Sequence, residues 1–281
     1  MPVKIISDST CDLSKEVLER YDIEITPLNV TLGDVTGRDG IEVTPEDIYK
    51  YVDSTGRLSK TSAVNIEDYL NVFRTWRDKG YEVIQFCIGS EFSCCYQNAC
   101  IAAQEIYGVR VVDTANLSSG QGLSVVKAAE LAKKGVSVDE IIAACEEMRD
   151  RVEASFVVNV IDYLHKGGRC SSLAAFGANV FRIKPCIEVI DGKMLAAKKY
   201  RGNINRVIRN YVEDRLKGRN DIEPDRIFIT HTRCDEEAIS NVKNLIREFQ
   251  PDIREIIDTD AGATVTTHCG PGTLGVLFVR K

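Results

Sequence analysis

From residue 3 to about 150, the chain alternates short apolar runs rich in Val and Ile with longer amphipathic segments. The apolar runs at 3–7, 23–32, 82–88 and 109–112 have the length of strands, and the segments between them have the period of helices. Parallel strands need long crossovers, which are usually helical. The alternation therefore predicts an α/β fold in which helices cover both faces of a parallel sheet, an α/β/α layered domain.

The pattern changes after about residue 150. The segment 184–202 predicts a β-hairpin that turns at Asp191 and Gly192, a pair that favours a type I′ turn. Further strands are predicted at 155–158, 226–230, 253–259 and 276–279, with helices at 203–218 and 235–249. A hairpin implies antiparallel pairing, so this half predicts a two-layer domain with a mixed sheet. At 281 residues the chain has the length of two ordinary domains, predicted here as 1–153 and 154–281.

Composition excludes several classes of function. The net charge of -6 disfavours a nucleic-acid partner and a DNA-binding regulator, because phosphate binding needs a concentrated basic surface. No apolar run approaches the roughly 20 residues of a membrane-spanning helix, and the N-terminus has no signal-peptide core. We therefore expect a cytoplasmic protein without stable membrane insertion. The ten cysteines form no C-x-x-C pair, so we expect reduced thiols and no metal site.

One of three histidines, His268, is separated by a single residue from Gly270, Pro271 and Gly272 in the stretch THCGPG. Rigid backbone at this turn would hold the imidazole with no bulky neighbour over it. The side chain could face a ligand, and it could equally cap a helix or fill the core. The sequence by itself leaves both interpretations open.

Two hydroxyl-rich turns, KTSAVN at 60–65 and GSEFSCC at 89–95, strengthen the ligand interpretation. Open α/β sheets bind ligands at the carboxyl ends of their strands, and the second turn follows a predicted strand. Asn65 or Ser62 can cap the following helix, which leaves the Thr61 hydroxyl free to donate to an anion. Ser93 can act as a cap or as a donor. Together these turns predict a cradle for an oxyanion.

Several catalytic classes lack their motifs. There is no G-x-S-x-G turn for a nucleophilic serine and no phosphate-binding P-loop. The segment YLHKGGRCSSL at 163–173 can be a helix end closed by Gly167, or a turn whose cationic wall includes Arg169. Beyond it, residues at three- and four-residue spacing predict a helix with one apolar face: Leu173, Phe176, Gly177, Val180 and Phe181.

Taken in order, SDSTCDL, KTS, the Ser93 turn, VDTANLSSGQG, LHKGGR, the KPCIEV to KKYRG hairpin and HCGPGTLG resemble the successive motifs of the DegV family. The resemblance spans nearly the whole chain. It implies two domains with a long-chain fatty acid, such as palmitate, bound between them. It also implies a partner, a separate ATP-using fatty acid kinase subunit that phosphorylates the bound carboxylate, so that the chain itself needs no catalytic residue and no cofactor.

Carried over by motif, the carboxylate-binding residues are Thr61, Ser93 and His268, with Ser62 close by. Arg201 in KKYRG, and more weakly Arg169, are implied as contacts for the kinase or the phosphate. We further predict that the helix from Leu173 to Phe181, which includes Phe176, lines and covers the tail. A competing hypothesis is an enzyme or carbonyl-binding protein that uses His268 on a small ketone, as in the fold-related dihydroxyacetone kinases.

The chain departs from the family pattern in both turns. It has TSAVN where members commonly have T-S-Q-P-S, and FSCCY where they have L-S-G-T-Y. The head-group donors are retained, whereas the backbone beside them is altered. We expect the change to affect the preferred chain length or unsaturation.

Overall fold

The computed structural model describes residues 1–176 and 183–281, and along these ranges helices alternate with strands. The α-helices are α1 (Lys15–Tyr21), α2 (Pro45–Thr55), α3 (Ile66–Asp78), α4 (Cys95–Gln104), α5 (Ser118–Lys133), α6 (Val138–Arg149), α7 (Ile161–Gly167), α8 (Ile204–Leu216), α9 (Glu236–Phe249) and α10 (Ala263–Cys269). The strands are β1 (Val3–Asp8), β2 (Glu24–Thr26), β3 (Asn29–Leu32), β4 (Val35–Arg38), β5 (Lys60–Ser62), β6 (Glu82–Cys87), β7 (Val109–Asp113), β8 (Val152–Glu153), β9 (Ser155–Val157), β10 (Ile183–Ile190), β11 (Lys193–Arg201), β12 (Ile222–Thr232), β13 (Glu255–Asp260) and β14 (Thr273–Arg280). Within the described ranges, no helix combines the length and apolar character needed to cross a membrane.

A parallel sheet in the order β2-β1-β6-β7 organises the first half of the chain. Consecutive residues of β1 point to opposite faces, so Ile5 packs with α1, α5 and α6, whereas Ile6 packs with α3 and α4. Because helices cover both faces, the strands are apolar almost throughout. The predicted α/β/α arrangement is confirmed.

A mixed sheet in the order β11-β10-β9-β14-β12-β13, with β8 also paired to β14, organises the second half. β12 and β13 are parallel, and the other pairs are antiparallel. Helices α8 and α9 cover one face, where Tyr211 and Phe278 are fully buried. Helix α5 packs against the other face, since Phe228 and Leu277 share a core with its Leu123. This confirms the mixed-sheet layer and places α5 between the two large sheets.

The hairpin β10–β11 turns where the sequence predicts. Asp191 and Gly192 have φ angles of 50° and 73°, and both central residues of a type I′ turn require positive φ. A bulge between Cys186 and Ile187 interrupts the ladder once.

A third sheet, antiparallel in the order β4-β3-β5, was not predicted. The sequence pattern predicts one strand over 23–32, but the structure divides it into β2 and β3. Pro27 lies at the break and has no N–H to continue a ladder, and the next N–H, of Leu28, donates to Ser9 Oγ at 3.1 Å. The chain therefore leaves the parallel sheet at β2 and starts a second sheet at β3.

The stretch after α7 also differs from the prediction. Residues Ser171–Phe176 form a 3-10 helix instead of the start of an α-helix. Phe181 and the rest of the predicted helix lie outside the described residues, as does the side chain of Phe176. The division of the chain at residue 153 stays a prediction, although the parallel sheet draws its strands from 3–113 and the mixed sheet from 152–280.

Candidate functional site

Helix α10 carries His268 and is anchored at its start by two aspartate side chains. Asp39 accepts hydrogen bonds from the backbone N–H of Ala263 at 2.8 Å and of Thr264 at 3.2 Å. Asp12 accepts a third, from the preceding glycine, at 2.7 Å. The first N–H groups of a helix have no partner within the helix, so the side-chain oxygens of these aspartates satisfy them.

The end of α10 is fixed by close packing. Gly270 has a φ of 66°, and a Cβ atom on it would lie 2.6 Å from the ring of Tyr163. Only glycine fits this position, which explains the glycine directly after the helix. The His268 ring is consequently held by a helix that is anchored at both ends.

Thr61 and His268 meet across the fold, with Thr61 Oγ1 lying 2.8 Å from His268 Nε2. Thr61 belongs to β5 and is paired with Val30 of β3. The sequence interpretation placed the Thr61 hydroxyl beside a helix start. In the structure Thr61 lies in a strand instead, because α3 begins only at Ile66 and is capped by Asn65. The small antiparallel sheet therefore positions the Thr61 hydroxyl beside His268.

The imidazole is neutral near pH 7. Burial, together with the charge of the nearby Arg169 guanidinium, lowers the pKa of His268 to about 4. Nδ1 is buried and has no hydrogen-bond partner among the described residues. It faces Gly167, where a Cβ atom would lie only 2.5 Å from it.

Ser93 lies in the loop between β6 and α4. Its Oγ accepts a hydrogen bond from the Cys95 N–H at 3.3 Å, at the start of α4, and donates one to Cys95 Sγ at 3.2 Å. The first residue of this loop is also fixed, since Ile88 N–H donates to the buried side chain of Asp8 at 2.7 Å. Ser93 therefore bonds at the start of α4 as predicted, and its hydroxyl would rotate away from Cys95 to donate to a ligand.

These segments surround a cavity of about 340 Å³. Its wall combines the polar side chains with apolar ones from several distant parts of the chain. The predicted residues in the wall are Thr61, Ser62, Ser93, Arg169 and His268. Apolar residues in it are Leu28, Ala63, Ile88, Phe92, Leu117, Met194 and Val265.

Two predicted site residues do not line this cavity. Leu173 is buried in the surrounding core, 3% exposed, and Arg201 is exposed at the end of β11. The placement of Phe176 and Phe181 around a tail lies outside the described residues. The apolar residues that line the cavity were therefore not predicted from the sequence. Ile88 and Leu117 could have been, because each lies beside a strand end or helix start next to a hydroxyl-rich turn, whereas Met194 and Val265 carry no local signal.

A second, smaller cavity of about 30 Å³ adjoins the first and shares Leu117, Val265 and Cys269 with it. Several threonines line it, yet their hydroxyls are engaged elsewhere. Thr232 Oγ1 donates to the Gly270 carbonyl, and Thr273 Oγ1 donates to the Cys269 carbonyl at 2.9 Å. The lining is consequently mainly apolar, which makes it a continuation of the apolar wall.

The arrangement suits binding more than nucleophilic catalysis. Among the described residues, His268 Nε2 is bonded to Thr61 and Ser93 Oγ to Cys95, so no Ser–His pair forms. His268 Nδ1 is buried against Gly167 and Nε2 is bonded to Thr61, so neither ring nitrogen is positioned to attack a small ketone. No group of metal-binding side chains occurs in the described ranges. Hydroxyls, a guanidinium and an apolar wall match an amphiphile with an anionic head.

Comparison with known proteins gives a consistent result. The family model described as "Uncharacterised protein, DegV family" matches residues 2–281. A Thermotoga maritima "Fatty acid-binding protein" is 32% identical over 98% of this chain and 96% of its own. A DegV domain-containing protein of Clostridium acetobutylicum is 31% identical over 99% of both chains.

Solved structures agree with the sequence comparison. A Thermus thermophilus structure titled as fatty acid binding of a DegV family protein is 29% identical, with a TM-score of 0.90 over 100% of both chains. A stearic acid-binding protein from Eubacterium ventriosum is 26% identical, with a TM-score of 0.83 over 99% of this chain and 98% of its own. The fold and the whole length of the chain are shared with these proteins.

Proposed function

The chain belongs to the DegV family, and on that premise we propose that it binds a long-chain fatty acid, with the carboxylate beside Thr61, Ser93 and His268 and with Ser62 close by. One observation carries the proposal: the Thr61–His268 pair forms part of the wall of a largely apolar cavity. Relatives with this fold are named fatty-acid-binding proteins, which supports a fatty acid as the ligand of this chain.

The tail supplies the affinity. A chain of about fifteen methylenes gains roughly 0.8 kcal/mol per group on burial, on the order of 12 kcal/mol gross before the costs of ordering are subtracted. In the proposal, the tail follows the apolar wall past Leu117 and Val265 and continues into the smaller cavity.

The head group supplies the orientation. A carboxylate that enters the cavity loses water and needs replacement hydrogen bonds. The hydroxyls of Thr61 and Ser93 can donate to it. The Arg169 guanidinium, which also lines the cavity, contributes a positive charge.

We extend the proposal to presentation of the bound carboxylate to a separate kinase subunit. Phosphoryl transfer to a carboxylate depends mainly on positioning and electrostatic stabilisation, so the nucleophile belongs to the ligand. Arg201, exposed at the end of β11, is the proposed contact for that partner or for the phosphate, and Arg169 is a second. The ligand site lies, in this proposal, between a domain of residues 1–153 and one of 154–281. ATP as the phosphoryl donor would locate the activity in the cytoplasm.

Mass spectrometry tests the ligand class. Protein purified from bacteria should release fatty acid on denaturation, and the delipidated protein should take up palmitate with one ligand per chain. Methyl palmitate, which has the same tail and no carboxylate, should bind more weakly. Extracts free of lipid under several growth conditions, together with no binding of palmitate in titration, would reject the proposal.

A further inference from the structure

We propose that a polar cavity of about 590 Å³, separate from the one assigned to the lipid, binds a phosphorylated polyol such as a sugar phosphate. Among the described residues, the walls of this cavity and of the 340 Å³ cavity have no member in common. The polar cavity is formed by both halves of the chain: the loop after β7, the end of α6, the hairpin β10–β11 and the ends of α8 and β14. The inference goes beyond the proposed function, because it requires no bound fatty acid.

The hairpin that borders the polar cavity is fixed by packing. A Cβ atom on Gly192 would lie 3.5 Å from the Cβ atom of Ala115, so the hairpin turn packs against the loop after β7. Val189 N–H donates to the Ala154 carbonyl at 2.9 Å, which ties β10 to the chain between β8 and β9. All four residues line the cavity. The wall therefore rests on backbone segments that hold each other in place.

One carboxylate in the wall, that of Glu153, is shared by three arginines. Arg215 Nη2 donates to it, Arg219 donates to it twice, at 2.8 and 2.9 Å, and Arg280 Nε lies 3.4 Å from it. Both oxygens of Glu153 thus have partners already, which leaves this carboxylate little capacity to hold a cationic ligand. Arg280 makes no other ion pair within the described ranges.

Two guanidinium groups in the wall keep unused N–H donors. Arg280 Nη2 donates to the Asp150 carbonyl at 2.8 Å, and in the described part of the chain its Nη1 has no partner. The Arg149 side chain makes no hydrogen bond to any described residue, and its Nε lies 3.7 Å from the exposed Asp150 carboxylate. The two side chains are 44% and 40% exposed, so a molecule in the cavity can reach them. The planar fork of a guanidinium matches the oxygens of a phosphate.

Asn116 contributes a further donor to the same wall. The residue is 4% exposed, and its Oδ1 accepts from Leu117 N–H at 3.0 Å. Its Nδ2 has no hydrogen-bond partner among the described residues, although it is not fully enclosed. A largely buried donor without an acceptor is costly, and a bound molecule with oxygen acceptors removes that cost. This amide therefore supports a ligand rich in oxygen.

Two carboxylates in the wall favour a polyol over a bare anion. Glu188 Oε1 accepts from Arg215 at 2.9 Å, whereas its Oε2 has no partner within the described residues. Asp191, at the exposed hairpin turn, has no side-chain partner there either. Carboxylates accept hydrogen bonds from hydroxyls and repel anions. A ligand with its phosphate at the arginines and its hydroxyls at these carboxylates satisfies both groups.

Calorimetric titration of the full-length protein with ribose 5-phosphate tests the site. We expect one molecule per chain, and at least about tenfold weaker binding of ribose and of inorganic phosphate, since each retains only half of the contacts. Gluconate, a polyol with a carboxylate in place of the phosphate, should also bind more weakly. An affinity for gluconate equal to that for ribose 5-phosphate would reject a phosphate site. Absence of binding by ribose 5-phosphate would overturn the proposal as a whole.

A charge-removing variant locates the bound phosphate. Arg149→Gln should weaken ribose 5-phosphate binding about tenfold, because a guanidinium that contacts the phosphate is lost. The fold should tolerate it, since the one ion pair of Arg149 is long and exposed, and the melting temperature checks this. Arg247→Gln, an exposed arginine on α9, is the matched control and should change the affinity by less than about twofold. Equal losses in both variants would mean unspecific attraction by charge and would reject the site.

A second variant tests the hydroxyl contacts. Asp191→Asn removes a carboxylate while asparagine tolerates the φ of 50° at this position. It should weaken the binding of ribose 5-phosphate and not that of inorganic phosphate. Equal effects on the two would refute the assignment of the polyol. Each titration is repeated with palmitate present, and displacement of ribose 5-phosphate by palmitate would place it in the other cavity and overturn the proposal.

Discussion

The Asp39 carboxylate accepts a hydrogen bond from the backbone N–H of Ala263 at 2.8 Å, although the two residues lie 224 positions apart in the sequence. The second carboxylate oxygen accepts from Thr264 N–H at 3.2 Å and from Ser9 Oγ at 2.8 Å. One buried side chain thereby ties the loop after β4 to the start of the helix that carries His268.

Replacing Asp39 with alanine should destabilise the protein by about 1 to 3 kcal/mol, because several donors lose their acceptor at once. Urea unfolding measures the change. Palmitate affinity should fall as well, since α10 positions His268. Asp252→Ala, at an exposed turn, is the matched control. An unchanged urea midpoint for Asp39→Ala would show that the cap contributes nothing.

Asp12 should make stability depend on pH. Burial, together with the neighbouring Asp39, raises its pKa from 3.8 to about 8. Between these values the folded protein holds a proton that the unfolded chain releases, so this contribution to stability is lost as pH rises. Asp12→Asn removes that titration and keeps an acceptor for Gly262 N–H. Between mildly acidic and mildly alkaline pH, the free energy of unfolding of the variant should rise by at least about 1 kcal/mol relative to that of the natural protein. Parallel pH profiles of the two proteins would contradict the prediction.

Filling the smaller cavity should shorten the preferred ligand. Ala261 lines this cavity and is 3% exposed. Ala261→Leu would exclude about three methylenes of the tail, at a cost of about 2 kcal/mol for palmitate. Decanoate, which is too short to reach this cavity, should bind as it does to the natural protein. Competition binding across a series of chain lengths measures the shift, and an equal loss for both acids would place the tail elsewhere.

Arg201→Ala should separate partner function from lipid binding. The side chain is exposed and lies outside the cavity wall, so the palmitate dissociation constant should change by less than about twofold, whereas kinase-coupled turnover should fall about tenfold. Arg247→Ala, an exposed arginine on α9, provides the control. Equal losses of lipid binding and turnover would reject this role for Arg201.

Local features of the sequence predicted most of the elements. Thr44, followed by Pro45 and by Asp47 three residues after it, forms a capping box at the start of α2, and such a box is a local sequence pattern. Asp191 and Gly192 form the predicted turn. These features were predictable because a cap or a tight turn is decided by a few neighbouring residues.

Features that depend on distant partners were less predictable. The break at Pro27 could have been anticipated from the missing N–H, but the antiparallel sheet that follows depends on β5 returning to β3. The 3-10 helix at Ser171–Phe176 replaced a predicted α-helix, since spacing of apolar residues indicates a face and does not fix the hydrogen-bond pattern.

By itself the sequence determined the order and kind of the main elements, and through its motifs it identified Thr61, Ser93 and His268 as candidates. Only the tertiary structure decided that these side chains share one cavity wall, that Asp39 holds the helix carrying His268, and that Arg201 lies apart from the cavity. The physical reason is the sequence separation of the residues that interact. Caps and turns are set by neighbours along the chain, whereas a cavity is set by packing between segments that the sequence keeps far apart.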